Sequence, residues 1–207
     1  CMNAHWQNGH KEYHKVQKQK AKQLREGGLH EHTRSLAEAE ARRAEATGDE
    51  YDKRFAAAVA LSAAGDHNAE AKAWRKIIKQ WPDRPATYGN LAIALQHSYR
   101  YAEAAPMYLK ALELHEDDTK DWAAAAAAAF DLLKHPACDD VPKPEWWNDE
   151  ALKALSARVV AVAPDKHADK AQSCSMRACV LEGDALGEAS WNAGPRTAAE
   201  VKEAATW

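Results

Sequence analysis

The sequence has few of the residues that build β-sheets, tight turns or cross-links. Its 207 residues include two phenylalanines, nine glycines and four cysteines, and runs of β-branched residues are missing. So few cysteines form no dense disulfide framework, which favours a reducing compartment, cytoplasmic or nuclear. The longest apolar run, residues 122–130, is about half of the roughly 20 residues that a membrane helix needs. We therefore expect no membrane partner.

Helix-forming residues dominate what is present. Alanine is abundant, and Lys, Arg, Glu and Gln are frequent, a composition that favours helix at nearly every position. The formal net charge of -3 gives no overall attraction to nucleic acid, so a nucleic-acid partner is not expected. Residues 16–50 are basic at first and then of mixed charge, and we predict that they form a helical linker. The sequence thus predicts an all-α protein.

Two amphipathic helices of similar length occupy residues 85–118. Apolar residues recur there at helical spacing, which predicts helices at about residues 86–97 and 101–114. Small residues allow the two helices to approach each other closely, and larger ones fill the space around them. The residues of both kinds are Tyr88, Leu91, Ala92, Leu95, Ala104, Tyr108, Ala111 and Leu112.

This segment resembles a tetratricopeptide repeat, a 34-residue helix pair. That family places aromatic, leucine and small residues at set positions, which here hold Tyr88, Leu91, Ala92, Ala104, Tyr108 and Ala111. Two residues depart from the pattern. Glu116 stands where the family often has proline, and Pro106 lies inside the second helix. Because a proline inside a helix costs about 3 kcal/mol, we expect a local bend at Pro106.

Weaker copies of the pattern flank this repeat. Residues 51–84 form an earlier copy, in which Glu70 stands where a small residue is expected and leaves open a register shift of one residue. Residues 119–165 form a later copy, interrupted by a proline-containing inserted loop at residues 134–147. Residues 166–207 form a fourth, truncated copy. We thus predict an α-solenoid of three to four helix pairs over residues 51–207, within a fragment of a longer protein.

The resemblance implies a protein-protein interaction scaffold rather than an enzyme. Solenoids of this kind hold a partner peptide or helix in a concave groove that the first helix of each pair lines. By family position, the residues that line the groove are Phe55, Val59, Ser62, Gly89, Ile93, Gln96, His97, Lys120, Ala127 and Asp131. No glycine-rich phosphate loop or nucleophile elbow accompanies the repeats.

The opening residues carry a separate motif, CMNAHWQNGHKEYH. On a helix, His10 and His14 are four residues apart, so their rings lie on one face and can share one zinc. The motif resembles the C-terminal end of a MYND-type zinc finger, which makes residues 1–15 a remnant of that domain. By this resemblance Cys1, His10 and His14 match ligand positions, and Trp6 matches a packing aromatic.

The same finger suggests an alternative function. MYND fingers also occur in SET-type lysine methyltransferases, which can carry helical repeats after the catalytic domain. The chain would then be a non-catalytic part of such an enzyme, with the catalytic domain missing from it. The sequence itself shows no Asn-His-centred cofactor motif and no strand-rich region.

Most ligands of the finger are missing, which yields a testable prediction. A structural zinc site needs about four ligands, and by the resemblance Cys1 belongs to a different zinc from His10 and His14. Zinc belongs to the full-length finger, and we predict that this chain purifies with little of it. Adding EDTA should leave the melting temperature unchanged. Stoichiometric zinc by atomic absorption, with a lower melting temperature in EDTA, would contradict the prediction.

Overall fold

The computed structural model describes residues 29–163, 167–183, 191 and 193–207. These ranges contain helices and connecting segments but no strand, which confirms the all-α prediction. The helices are α1 (Leu29–Thr47), α2 (Glu50–Ala63), α3 (His67–Gln80), α4 (Pro85–His97), α5 (Tyr101–Leu114), α6 (Lys120–Leu133), α7 (Asp149–Val162), α8 (His167–Glu182) and α9 (Ala198–Ala204). None of these helices is long and apolar enough to cross a membrane.

The same helix-turn-helix geometry occurs twice, 34 residues apart. After α2, the amide of Asp66 donates to the Leu61 carbonyl; after α4, the amide of Arg100 donates to the Leu95 carbonyl. The central turn residue has a positive φ in both places, 73° at Gly65 and 60° at Tyr99. A glycine accepts this left-handed conformation without strain, whereas a tyrosine does not. The backbone therefore repeats even where the sequence does not.

The two turns align without an inserted or deleted residue. With a displacement of 34 residues, Glu70 corresponds to Ala104. Both residues are buried, Glu70 with 2% of its surface exposed and Ala104 with none. A glutamate thus takes a position of close packing, and its carboxylate oxygen lies 3.0 Å from His67 Nδ1.

Helices α6 and α7 are separated by an inserted segment. Helix α7 has the length of α5, and the additional residues between α6 and α7 include a 3-10 turn at Pro136–Cys138. Helix α5 continues without interruption past Pro106. The bend expected at that proline remains a prediction.

The chain divides into two compact units, Cys1–Glu70 and Ala71–Trp207. In the first unit, α1 packs along α2. The Arg43 guanidinium donates to Asp52 over 2.9 Å, and the Thr47 hydroxyl donates to the same carboxylate over 2.8 Å. The Asp49 side chain caps the start of α2. The predicted linker helix is therefore docked on its neighbour, although most of its side chains remain exposed.

Helices α4 to α9 of the second unit pack on one another in succession. Helix α4 packs on α5 and α5 on α6; α6 contacts α7 and α8; and α8 contacts α7 and α9. One buried cluster joins Tyr88, Ala111 and Ala125 from α4, α5 and α6. The Tyr88 hydroxyl also donates to the Pro82 carbonyl over 2.9 Å, which fixes the turn before α4. These three helices are thereby joined through side chains of one core.

Helix α6 is the most deeply buried helix of this unit, because ten of its 14 residues are buried. Phe130, near its C-terminal end, packs against Trp147 and Trp191, with ring centroids 5.6 Å away in each case. The inserted segment also returns to this end. There the Lys143 ammonium donates to the Leu133 carbonyl over 2.8 Å, satisfying an acceptor that the helix leaves unpaired.

An ionic network fastens the C-terminal helix. The Arg196 guanidinium donates to both carboxylate oxygens of Asp149, over 2.6 and 2.9 Å. The Lys153 ammonium bridges Asp149 and Glu200 over 3.1 and 2.6 Å. Burial alone would raise the pKa of the Asp149 carboxyl, but hydrogen bonds from Arg196 and Lys153 outweigh it and lower this pKa to about 2. The charged form of Asp149 therefore stabilises the fold.

We predict that Asp149→Asn lowers the free energy of unfolding at neutral pH by about 2 kcal/mol. A carboxyl with a lowered folded pKa contributes its full stability above its ordinary pKa of 3.8. That contribution is lost as the pH falls toward 2, so the difference between the variant and the natural protein should shrink below about pH 4. Urea unfolding across this range measures it, with Asp139→Asn, an exposed acid, as the control. An equal difference at pH 7 and pH 3 would contradict this role.

Candidate binding face

Four helices of the second unit contribute to one row of polar side chains. It consists of Gln96, Tyr108, Asp131 and Gln172, from α4, α5, α6 and α8, and we call it the polar row. The Tyr108 hydroxyl donates to Gln96 Oε1 over 3.1 Å. Gln172 Nε2 donates to Asp131 Oδ2 over 2.8 Å. Asp131 links the two halves, because its charge acts on the Tyr108 hydroxyl.

Tyr108 anchors this row in the core. Its side chain is buried, as the repeat pattern predicts, and its hydroxyl lies toward the polar row. Burial and the negative charge of Asp131 both raise the pKa of Tyr108 well above its usual range. The phenol therefore stays protonated and donates its hydrogen bond throughout the physiological range.

Asp131 lies in the last turn of α6 and remains exposed. Packed groups nevertheless remove part of the water around its carboxylate, and this desolvation raises the pKa of Asp131 above its ordinary value. The hydrogen bond from Gln172 and the charge of Lys134 oppose that rise only in part. The Lys134 ammonium lies against Cys179 Sγ and 5.5 Å from the centre of the Phe130 ring.

An apolar side chain adjoins the polar row. Ile93 is three residues before Gln96 on α4, so the two side chains share one face of that helix. Ile93 is 39% exposed, so its side chain is accessible on that face. Ile93 and Gln96 therefore provide an aliphatic and an amide group on one face of α4.

The predicted groove residues of the second unit differ in accessibility. Gly89 and Gln96 are partly buried, whereas Ile93, His97, Lys120 and Asp131 are exposed. Ala127 has no exposed surface, so it cannot touch a partner in this arrangement. Its burial follows from the position of α6, which is enclosed by neighbouring helices. Ala127 is therefore a packing residue here, contrary to its predicted place in the groove.

Three predicted groove residues belong to the first unit. Phe55 and Ser62 are partly buried, and Val59 is buried with 8% of its surface exposed. The Phe55 ring packs against Tyr51, with centroids 5.8 Å apart. A role for these three residues in partner binding remains a prediction.

Sequence reasoning missed Gln172, because the family positions were assigned only as far as Asp131. An amide on the first helix of the fourth predicted pair was the available signal. Cys174 and Cys179, both on α8, are partly buried. Cys138 is buried, and burial raises the pKa of its thiol, so this thiol stays protonated.

The predicted zinc ligands Cys1, His10 and His14 lie outside the described residues. Inside the described ranges, no three His, Cys, Asp or Glu side chains lie together as a metal site would require. Comparison with known proteins adds no candidate, since no family model, curated protein or solved structure matches the chain. The geometry of the binding face therefore carries the functional argument.

We predict that Tyr108→Ala lowers the free energy of unfolding by about 3 kcal/mol or more, because it removes a large buried side chain. Tyr108→Phe keeps the ring and loses only the hydrogen bond to Gln96, so about 1 kcal/mol is expected. Urea unfolding of both variants tests this pair. If Tyr108→Ala costs less than about 0.5 kcal/mol, the ring does not occupy the core position that the repeat assigns to it.

Proposed function

We propose that this chain is a tetratricopeptide-like scaffold that binds an extended peptide segment of a partner protein. The observation that carries the proposal is the surface formed by Ile93 and the polar row. Helices α4, α6 and α8 contribute to it, and in the predicted repeats these are the first helices of successive pairs. First helices line the groove of such arrays, which supports this surface as the binding site for a partner.

The chemistry of the surface suits a peptide. An extended segment presents carbonyl and amide groups at regular intervals, and Gln96 and Gln172 can each pair with such groups through their amides. Ile93 provides an apolar contact for a side chain of the partner. The mixture of aliphatic and polar groups is typical of surfaces that bind other proteins reversibly.

The sequence offers a negative constraint on the kind of peptide. Some tetratricopeptide domains clamp a terminal carboxylate with lysine, arginine and asparagine at five set positions. Those positions hold Phe55, Val59, Asn90, Lys120 and Ala124 here, so only Asn90 and Lys120 match. An internal segment of the partner is therefore a better candidate than its C-terminus.

A peptide selection tests this function. We expect random dodecapeptides displayed on phage to enrich on the immobilised full chain, and their synthetic forms to bind in fluorescence anisotropy. Ile93→Arg should weaken that binding by about tenfold or more, since it places a bulky charge on the apolar contact. Ala102→Arg is the matched control, because it adds the same side chain at an exposed position of α5.

The control should bind the selected peptides as the natural protein does. Both variants should also melt at the natural temperature, because each substitution replaces an exposed residue. If no peptide enriches, or if the selected peptides bind Ile93→Arg normally, the proposed binding face is wrong.

A further inference from the structure

The Asp131 carboxylate is incompletely compensated. It accepts one hydrogen bond, from Gln172 Nε2 at 2.8 Å. Within the ranges that the structure describes, no salt bridge reaches it. A partly desolvated carboxylate normally acquires a cation or several hydrogen bonds, because losing water costs free energy. Asp131 has one hydrogen bond and the charge of Lys134 nearby, and the two offset the loss of water only in part.

The groups around Asp131 compensate its charge only in part. Asp131 lies in the last turn of α6, where the helix dipole presents its negative end. Lys134 is the cation that acts on its charge, but the ammonium lies against Cys179 and near the Phe130 ring rather than on the carboxylate. The carboxylate nevertheless remains accessible, because Asp131 is exposed.

We propose that Asp131 receives the side chain of a lysine or arginine from the bound partner segment. This inference rests on the proposed function and names the chemistry of the partner. An arriving cation would replace the missing compensation and would be attracted by the charge that the fold leaves exposed. Binding would thereby relieve an unfavourable electrostatic energy that is already present in the free protein.

The side-chain amides of Gln96 and Gln172 can form hydrogen bonds with the peptide backbone near that cationic residue. Gln96 Oε1 accepts from Tyr108, which leaves its amide nitrogen to donate to a peptide carbonyl. Gln172 donates to Asp131, which leaves its amide oxygen to accept from a peptide N–H. One donor and one acceptor are therefore available to the backbone of an extended segment.

A divalent metal is a poorer match for this carboxylate. Calcium takes six to eight oxygen ligands, and magnesium needs a nearly ideal octahedron. In the described part of the chain, no group of three His, Cys, Asp or Glu side chains could hold an ion. A single cationic side chain needs only the one carboxylate.

Three proteins are compared in the peptide selection: the natural chain, Asp131→Lys and Glu113→Gln. Glu113 lies on α5 with two thirds of its side chain exposed, so its substitution removes one acid away from the proposed face. We expect the natural chain and Glu113→Gln to enrich lysine or arginine at one fixed position. Asp131→Lys should enrich aspartate or glutamate at that position instead.

Synthetic peptides then test the interaction between Asp131 and the enriched basic residue. Replacing the enriched basic residue by methionine should weaken binding to the natural chain by about tenfold, and binding to Asp131→Asn hardly at all. Asp131→Asn should melt at or above the natural temperature, because the carboxylate is not a stabilising partner in the free protein. A marked drop in melting temperature would overturn the premise that its charge is uncompensated.

The outcomes separate this inference from the proposed function. One outcome is that the peptides bind Ile93→Arg weakly and yet show no preference for lysine or arginine, or keep that preference with Asp131→Asn. Such peptides would contradict the proposed role of Asp131 and leave the proposed binding face supported. A selection that enriches nothing, or peptides indifferent to Ile93→Arg, refutes both. A preference for lysine or arginine that disappears in Asp131→Asn and reverses in Asp131→Lys supports the proposed role of Asp131.

Discussion

The second unit depends on the close packing that alanine allows around α6. Short side chains at its buried positions leave room for α5, α7 and α8 to contact this one helix. Larger residues at the same positions would push those neighbours outward, because a packed interior has little spare volume. The polar row exists only because α6 holds Asp131 close to both Tyr108 on α5 and Gln172 on α8.

Close packing also has a consequence at the C-terminal end of α6. The terminal carbonyls of α6 need partners once they are covered, and the inserted segment supplies one through Lys143. Trp147 and Trp191 cover the Phe130 ring at the same end. The insertion is therefore part of the packing of the unit and not merely a long connection between two helices.

The sequence predicted the helices well because their signals are local. Apolar spacing depends on residues a few positions apart, and the helices α4 and α5 lie close to the ranges it indicated. The register at Glu70 was left open because a buried glutamate breaks the expected pattern of small residues. The turn hydrogen bonds, repeated 34 residues apart, favour an alignment of Glu70 with Ala104.

Contacts between distant segments were not predictable in this way. Arg196 binds Asp149 across 47 residues, and nothing in the local sequence of either one identifies the other. Trp147 and Trp191 likewise meet at Phe130 from two separate loops. Periodicity identifies which face of a helix is buried, but it does not identify which loop covers that face.

The same distinction explains the groove predictions. Family position describes an average repeat in which the first helix keeps one open face. Ile93 and Asp131 are exposed, and their place in a groove remains a prediction. Ala127 is buried because neighbouring helices enclose α6. The exposed residues of α6 therefore lie toward its two ends, where Lys120 and Asp131 are located. Under the proposed function, a partner that crosses this unit would meet α6 mainly through charged groups. Asp131, whose charge Gln172 and Lys134 offset only in part, is the group at which we propose that the chemistry of the partner is selected.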